Sequence, residues 1–358
     1  MLRPRTSTRD IRPTIASLAV WLQNELDEPV SLRVLGGPTG AGFSSETVLF
    51  DIVEGPHRGP YVLRMPPPAD AFPLFPSYDL SRQSSAMRLV HERTNVPVPR
   101  VPWSESDPSP LGAPFFVMDR IDGVAASDVP LYVLEGWLLD ASPDDRARAE
   151  AGVVRAIAGI HDLELSAAEL VHLELDDAGS SPLQRHVGHQ RRYYDWLRGE
   201  QRFSLIEATF AWLDAHWPAR EGRTALSWGD ARVANILFRD CDPVAVLDWE
   251  SAAVGPRELD LGWLIFFHDY YQGIAERMGH TGLPDFLERE SVVAAYTDIT
   301  GYEPHDLDWY LAYAALRQAL VSIRVSTRAV HFGEREQPDD PQDPVSYTHL
   351  TLPTNREV

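Results

Sequence analysis

Residues 226–250 read LSWGDARVANILFRDCDPVAVLDWE. Two strand-like runs, 235–238 and 244–248, flank the turn-forming RDCDP, and together they predict a β-hairpin. Pairing Arg239 with Val244 across a four-residue turn sets Leu237 opposite Val246 and Asn235 opposite Asp248. Opposed residues have Cβ atoms about 4.5–5.5 Å apart. An amide oxygen and a carboxylate then project side by side at the open end of the hairpin. That pair suits Mg²⁺, a hard ion that takes oxygen ligands and fills its shell with water and phosphate. Asp230 lies five residues before Asn235, in a Gly-Asp turn. It can face the same place without ligating a metal, the position of a base that receives a hydroxyl proton.

Upstream of this island, Ile15, Leu18, Leu22 and Leu26 recur at helical spacing over 11–26. Short strands are expected at 31–35, 47–53, 61–65 and 115–121, and a glycine-rich turn at 36–42. The proline-rich PPPADAFPLFP (66–76) cannot hold a helix or a central strand, whereas 80–93 reads as helix. Beyond about residue 122 the pattern changes to long helices. Ser142-Pro143 is placed for the cap and first turn of one over 144–163, and others are expected at 182–198, 203–216, 257–272, 284–299 and 306–330. Trp263, Phe266 and Phe267, at helical spacing, read as core. The expected class is α+β in two lobes: an N-terminal helical extension (1–29), a small β-rich lobe (30–121) and a larger helical lobe (122–333) carrying the hairpin. A ligand would sit in the cleft between them. The tail 334–358 has no period continuing the preceding helix, and is expected to be disordered or non-native.

With 358 residues, 44% hydrophobic and 24% charged, the composition is that of a globular chain with an ample core. No apolar run approaches the roughly 20 residues of a membrane span, and no apolar signal core follows MLRPRTSTRD, so a cytoplasmic enzyme is expected. Cys241 is the single cysteine, which excludes an internal disulfide and a cysteine-based zinc site. The net charge of −21 repels phosphodiester backbones and argues against nucleic acid as a partner. All 32 basic residues are arginine. Without lysine, Schiff-base chemistry, pyridoxal-phosphate chemistry and Walker-type nucleotide loops ending in GK[ST] are all excluded.

Asp-x-x-x-x-Asn followed by an Asp at a strand end is the active-site pattern of protein-kinase-like folds. WGDARVAN and VLDWESAAVGPRELDLGW, with GAGFSSET, VPVPR, PFFVMDRIDG and a helix ending in IHDL, resemble the aminoglycoside phosphotransferase-like family of small-molecule kinases over most of 30–330. Within it the chain is most similar to the branch that includes the kinase-like domains of some acyl-CoA dehydrogenase fusion proteins. The resemblance implies ATP or GTP as phosphate donor, Mg²⁺ as cofactor and a small-molecule hydroxyl as acceptor. Asp230 would be the catalytic base or hydroxyl-orienting residue, and Asn235 and Asp248 would hold the metal. Asp260 would brace the catalytic loop. The loop around Gly40 and Gly42, with Ser44 or Ser45, would cover the phosphates, and the strand through Met118 and Asp119 would meet the adenine.

This sequence departs from the family pattern at the phosphate clamp. The usual third-strand lysine is replaced by Arg64, which can bind phosphate bidentately with a different reach. The best-placed counterpart of the usual helix glutamate is Gln83, with Glu92 nearer the helix end. Both partners differ together, which favours a rewired clamp. The same change motivates an alternative, a nucleotide-binding pseudokinase acting as a regulatory or interaction module. His161 reads as a helix-end contact, His186 and His189 lack a zinc-ligand spacing, and Arg232 and Glu250 are left open between structural and substrate-binding roles.

Overall fold

The Asp10 carboxylate accepts a hydrogen bond from the Arg12 N–H and so opens helix α1 (Ile11–Leu26), whose Ile15, Leu18 and Leu22 are buried. The structure, a computed structural model, describes residues 10–37 and 44–336. Gly40 and Gly42, proposed above for the phosphate loop, lie outside the described residues. Strands β1 (Leu32–Gly36), β2 (Glu46–Ile52), β3 (Gly59–Met65), β4 (Trp103–Glu105) and β5 (Phe115–Asp119) form an antiparallel sheet in the order β1-β2-β3-β5-β4. Period-two alternation divides the sheet's burial. Phe50, Leu63, Phe115 and Val117 pack with α1, while Phe116 joins a second core with α2 (Leu80–Arg93). Strand β4 has only three residues between prolines, too short for periodicity to show in the sequence.

The chain then crosses to the helical part through β6 (Val124–Ala125) and the one-turn helix α3 (Trp137–Asp140). Ser142 caps α4 (Pro143–His161) as expected, and a capping box between Ser166 and Glu169 starts α5 (Ala167–Leu173), which the sequence reading missed. Helices α6 (Pro182–Arg198) and α7 (Ser204–Ala215) follow. Next come β7 (Thr224–Ser227), β8 (Ile236–Arg239), β9 (Asp242–Val246) and β10 (Ala253–Pro256). Helices α8 (Glu258–Arg277), α9 (Arg289–Thr300) and α10 (Leu307–His331) complete the described chain. The result is α+β, with a sheet-rich N-terminal part and a helical C-terminal part.

The expected hairpin is present, but its register is one residue off the expectation. Ile236 pairs with Val246 and Arg239 with Asp242, with a bulge between Leu237 and Phe238. Asp240 and Cys241 have φ of 50° and 65°, so they form a two-residue turn in which both central residues are left-handed, not the four-residue turn that RDCDP suggests. Asn235 therefore lies opposite Leu247, whose N–H it accepts at 2.8 Å, and Asp248 sits one residue further on. Outside the hinge, the proline-rich segment also ties the lobes together. Arg324 of α10 donates to Pro73 O at 2.8 and 2.9 Å, and Tyr193 of α6 donates its hydroxyl to Leu74 O at 2.9 Å. No helix among the described residues is long and apolar enough to cross a membrane.

His268 of α8 is buried in this core, with its Nε2–H donating to Leu283 O and its Nδ1 accepting from the Tyr132 hydroxyl. Burial disfavours the charged ring and pushes its pKa down to about 4 from the usual 6.5. A depressed histidine contributes stability that is present above pH 6.5 and lost as pH falls towards 4. Urea unfolding should therefore show His268 removing about 2–3 kcal/mol between pH 7.5 and 4.5, and His268→Gln should flatten that part of the pH dependence.

Candidate active site

Strand β7 ends at Ser227, and the chain turns through Trp228, Gly229 and Asp230. Gly229 has φ of +86°, and a Cβ there would stand 2.2 Å from Ser251 O, so the turn requires glycine. Asp260, at the start of α8, is 1% exposed and holds this turn from behind. It accepts from Ser227 Oγ at 2.8 Å, from Trp228 N–H at 2.7 Å, from Gly229 N–H at 2.8 Å and from His161 Nε2 at 3.0 Å. Burial pushes its carboxyl up, but these donors, His161 foremost, more than offset that and hold it below the usual carboxylate value. His161 closes α4 and is fixed through Nδ1 by the Tyr296 hydroxyl. It contacts the brace, not the reaction centre.

Asp230 stands on the far side of the turn. Its Oδ1 accepts the Trp263 indole N–H at 2.6 Å, and its Oδ2 accepts the Asn235 amide at 2.6 Å. Arg232 Nε lies 3.1 and 3.2 Å from the two oxygens. The same guanidinium reaches Asp128 at 2.6 Å and lies over the Phe267 ring, so Arg232 is tied into a structural ion pair. A short 3₁₀ turn, Val233–Asn235, delivers Asn235 to this carboxylate. The amide donates to Asp230, which leaves its carbonyl oxygen as the atom to offer a cation.

Asp248 follows β9 in a left-handed conformation, φ +59°. Burial raises its pKa, and the nearby Arg64 guanidinium works against that shift. Arg64 Nη2 meets Asp248 Oδ1 at 3.2 Å, bridging β3 to the segment that follows β9. Its Nη1 donates to Thr47 Oγ1 at 2.9 Å, and Thr47 is its directly opposed residue across the β2–β3 ladder. Gln83 does not take that role. It is 2% exposed on α2, its Nε2 has no hydrogen-bond partner among the described residues, and no bond joins it to Arg64. The β2 partner of Arg64 is thus Thr47, a residue the sequence reading missed because cross-strand register is invisible in a linear string.

Ser45 Oγ reaches Glu250 Oε2 at 3.3 Å, joining the start of the phosphate-loop strand to the segment after Asp248. Burial, helped by the charge of Asp248 and opposed by the Ser44 hydroxyl, pushes the Glu250 carboxyl up to about 8. Met118 and Asp119 lie at the end of β5, where the chain leaves the sheet for β6; Asp119 pairs with Arg100 at 3.2 Å. His186 contacts Val254 O and His189 contacts Asp177. Among the described residues no group of three or more His, Cys, Asp or Glu is placed to hold a metal. The Asn235–Asp248 oxygen pair nevertheless fits Mg²⁺, which takes one or two protein oxygens and completes its octahedron with phosphate and water.

A family profile described as the phosphotransferase enzyme family matches residues 38–292. Human acyl-CoA dehydrogenase family member 11 is 24% identical over 275 residues, covering 75% of this chain and 33% of that protein, so the chain spans about a third of this relative's length. Among solved structures, a candidate aminoglycoside phosphotransferase from Ralstonia eutropha superposes with a TM-score of 0.67 at 22% identity, covering 94% of this chain and 96% of its own. The ADP-bound aminoglycoside phosphotransferase APH(2'')-Ib superposes with a TM-score of 0.55 at 13% identity, covering 94% and 97%. These likenesses establish the expected two-lobed, kinase-like fold.

Asp260→Asn keeps the shape but turns one of the two acceptor oxygens into a donor, set against either the Gly229 N–H and Ser227 hydroxyl or the Trp228 N–H and His161 Nε2. Denaturant unfolding at pH 7 should show a loss of about 3–5 kcal/mol, the cost of breaking a buried network by altering one partner.

Proposed function

The chain belongs to the phosphotransferase enzyme family, and from that premise we propose that it transfers the γ-phosphate of ATP or GTP to a hydroxyl of a small molecule, with Mg²⁺, in the cytoplasm. The observation that carries this reading is the neighbourhood of two bonded pairs, Asp230–Asn235 and Arg64–Asp248, close enough that the charge of Asp230 acts on Asp248. Asp230, held by three donors, accepts the acceptor's hydroxyl hydrogen and aims its oxygen lone pair at the phosphorus. Arg64 stands where a diphosphate would sit, and its fork is already oriented by Thr47. Asn235 and Asp248 would hold Mg²⁺, which supplies charge neutralisation at the phosphates when bound. Rate enhancement then comes from positioning and electrostatics. Met118 and Asp119 would present backbone to the nucleotide base, and Ser44 or Ser45 would face the phosphates.

Two acceptor classes are supported from different sides. Likeness to an acyl-CoA dehydrogenase family member favours a hydroxyacyl thioester or similar metabolite. The charge of −21 suits a polycationic aminoglycoside. A screen of both classes with radiolabelled ATP and GTP decides between them. The isolation of Gln83 from Arg64 supports the second reading, a nucleotide-binding pseudokinase. Nucleotide binding with no turnover across that panel, and no Mg²⁺-dependent hydrolysis, would establish it.

Asp230→Asn is expected to lower transfer at least 10³-fold while nucleotide affinity, measured by calorimetry, stays within about threefold. Near-full activity in that variant removes Asp230 from the mechanism. Arg64→Met should raise the nucleotide KM about tenfold or more, and Thr47→Val should raise it by a smaller factor, because Arg64 keeps its charge but loses its orientation.

A further inference from the structure

We propose that Trp263 is a positioning residue for phosphoryl transfer: its indole N–H sets the orientation of the Asp230 carboxylate, and Arg317 holds that indole and the Gly229 turn together. The inference deepens the reading of Asp230 as the hydroxyl-orienting group and rests on it.

A carboxylate on a short side chain rotates freely about its last torsion unless donors fix it. Asp230 has three such donors, and two of them, Arg232 and Asn235, belong to the same loop and move with it. Among the described residues Trp263 is the donor that comes from another element, α8, and its 2.6 Å bond references the carboxylate to the body of the helical part. Trp263 lies three residues after Asp260, on the same face of α8. One turn of one helix therefore fixes the backbone of the Gly229 turn through Asp260 and the side chain of Asp230 through Trp263.

The indole is itself held. Arg317 of α10 places its guanidinium 4.1 Å from the Trp263 ring and donates from Nη2 to Gly229 O at 2.8 Å. Phe267 packs on the ring with centroids 4.7 Å apart. Buried indoles usually find an acceptor; among the described residues the Trp212 N–H has none and Trp217 donates to the Glu221 carboxylate. Trp228, Trp249 and Trp309 donate to Leu247 O, Val246 O and Leu213 O. Trp263 instead donates to the side chain that must be aimed at the acceptor. The other charged groups around the centre, Arg64, Asp248 and Glu250, do not bond to Asp230, so none substitutes for the indole.

The test uses the full chain with Mg²⁺-ATP, and water as acceptor. Trp263→Phe keeps the ring and removes the N–H; it is expected to lower kcat for hydrolysis about tenfold or more, since small misplacements of a reacting group cost up to ~10². The KM for ATP should stay within about twofold, a split that a loss of fold would not produce. Arg317→Met should show the same pattern, with Arg317→Lys recovering part of the rate. The contact is also read without turnover: in protein labelled with ¹⁵N at tryptophan, the indole resonance that disappears in Trp263→Phe should shift in Asp230→Asn. Wild-type kcat in Trp263→Phe, or an indole resonance unmoved by Asp230→Asn, overturns the proposal. If Asp230→Asn itself hydrolyses ATP at the wild-type rate, the reading of Asp230 fails instead; a silent Asp230→Asn beside a wild-type Trp263→Phe sinks the positioning role alone.

Discussion

A carboxylate cut off from water is stable only where enough donors surround it, and the active-site turn of this protein is organised by that requirement at Asp260. Serine hydroxyl, two main-chain N–H groups and an imidazole converge on its two oxygens. Each bond fixes a different part: the end of β7, the Trp228-Gly229 peptides and the C-terminal end of α4. The turn can then afford a left-handed glycine pressed against Ser251, and Asp230 emerges from it in a defined direction.

Around that fixed turn, the groups of the site come from distant parts of the chain. Arg64 reaches from the sheet to Asp248, and Ser45 reaches to Glu250. Both contacts pass from the sheet to the segment that follows β9. The Pro73 and Leu74 carbonyls, gripped by Arg324 and Tyr193, form a separate attachment. The relative placement of sheet and helices therefore rests on polar bonds as well as on the chain crossing at β5–β6.

Much of this was legible in the sequence because the deciding signals were local. Helical spacing located α1, α2 and α4, and the Asp230, Asn235 and Asp248 pattern sits within nineteen consecutive residues. The failures have physical reasons. The hairpin register slipped because Asp240-Cys241 adopts a left-handed two-residue turn that neither residue type advertises strongly. Strand β10, which completes a sheet with β7, was missed because its buried Ala-Val-Gly-Pro carries no alternation. Trp263 was read as core, which its burial justifies, but spacing alone cannot show that one polar atom on a buried ring faces a carboxylate. Thr47 and Gln83 exchanged roles for a similar reason: the partner of Arg64 is chosen by the β2–β3 ladder, across seventeen residues of chain.

Arg64 at the clamp also changes how the cleft responds to covalent chemistry. A guanidinium is a delocalised cation that offers donors and no accessible lone pair, so acylating reagents that trap an amine find none at Arg64. No other side-chain amine occurs in the sequence, since all 32 basic residues are arginine. Dicarbonyl reagents, which condense with guanidinium groups, are the suitable labels for Arg64.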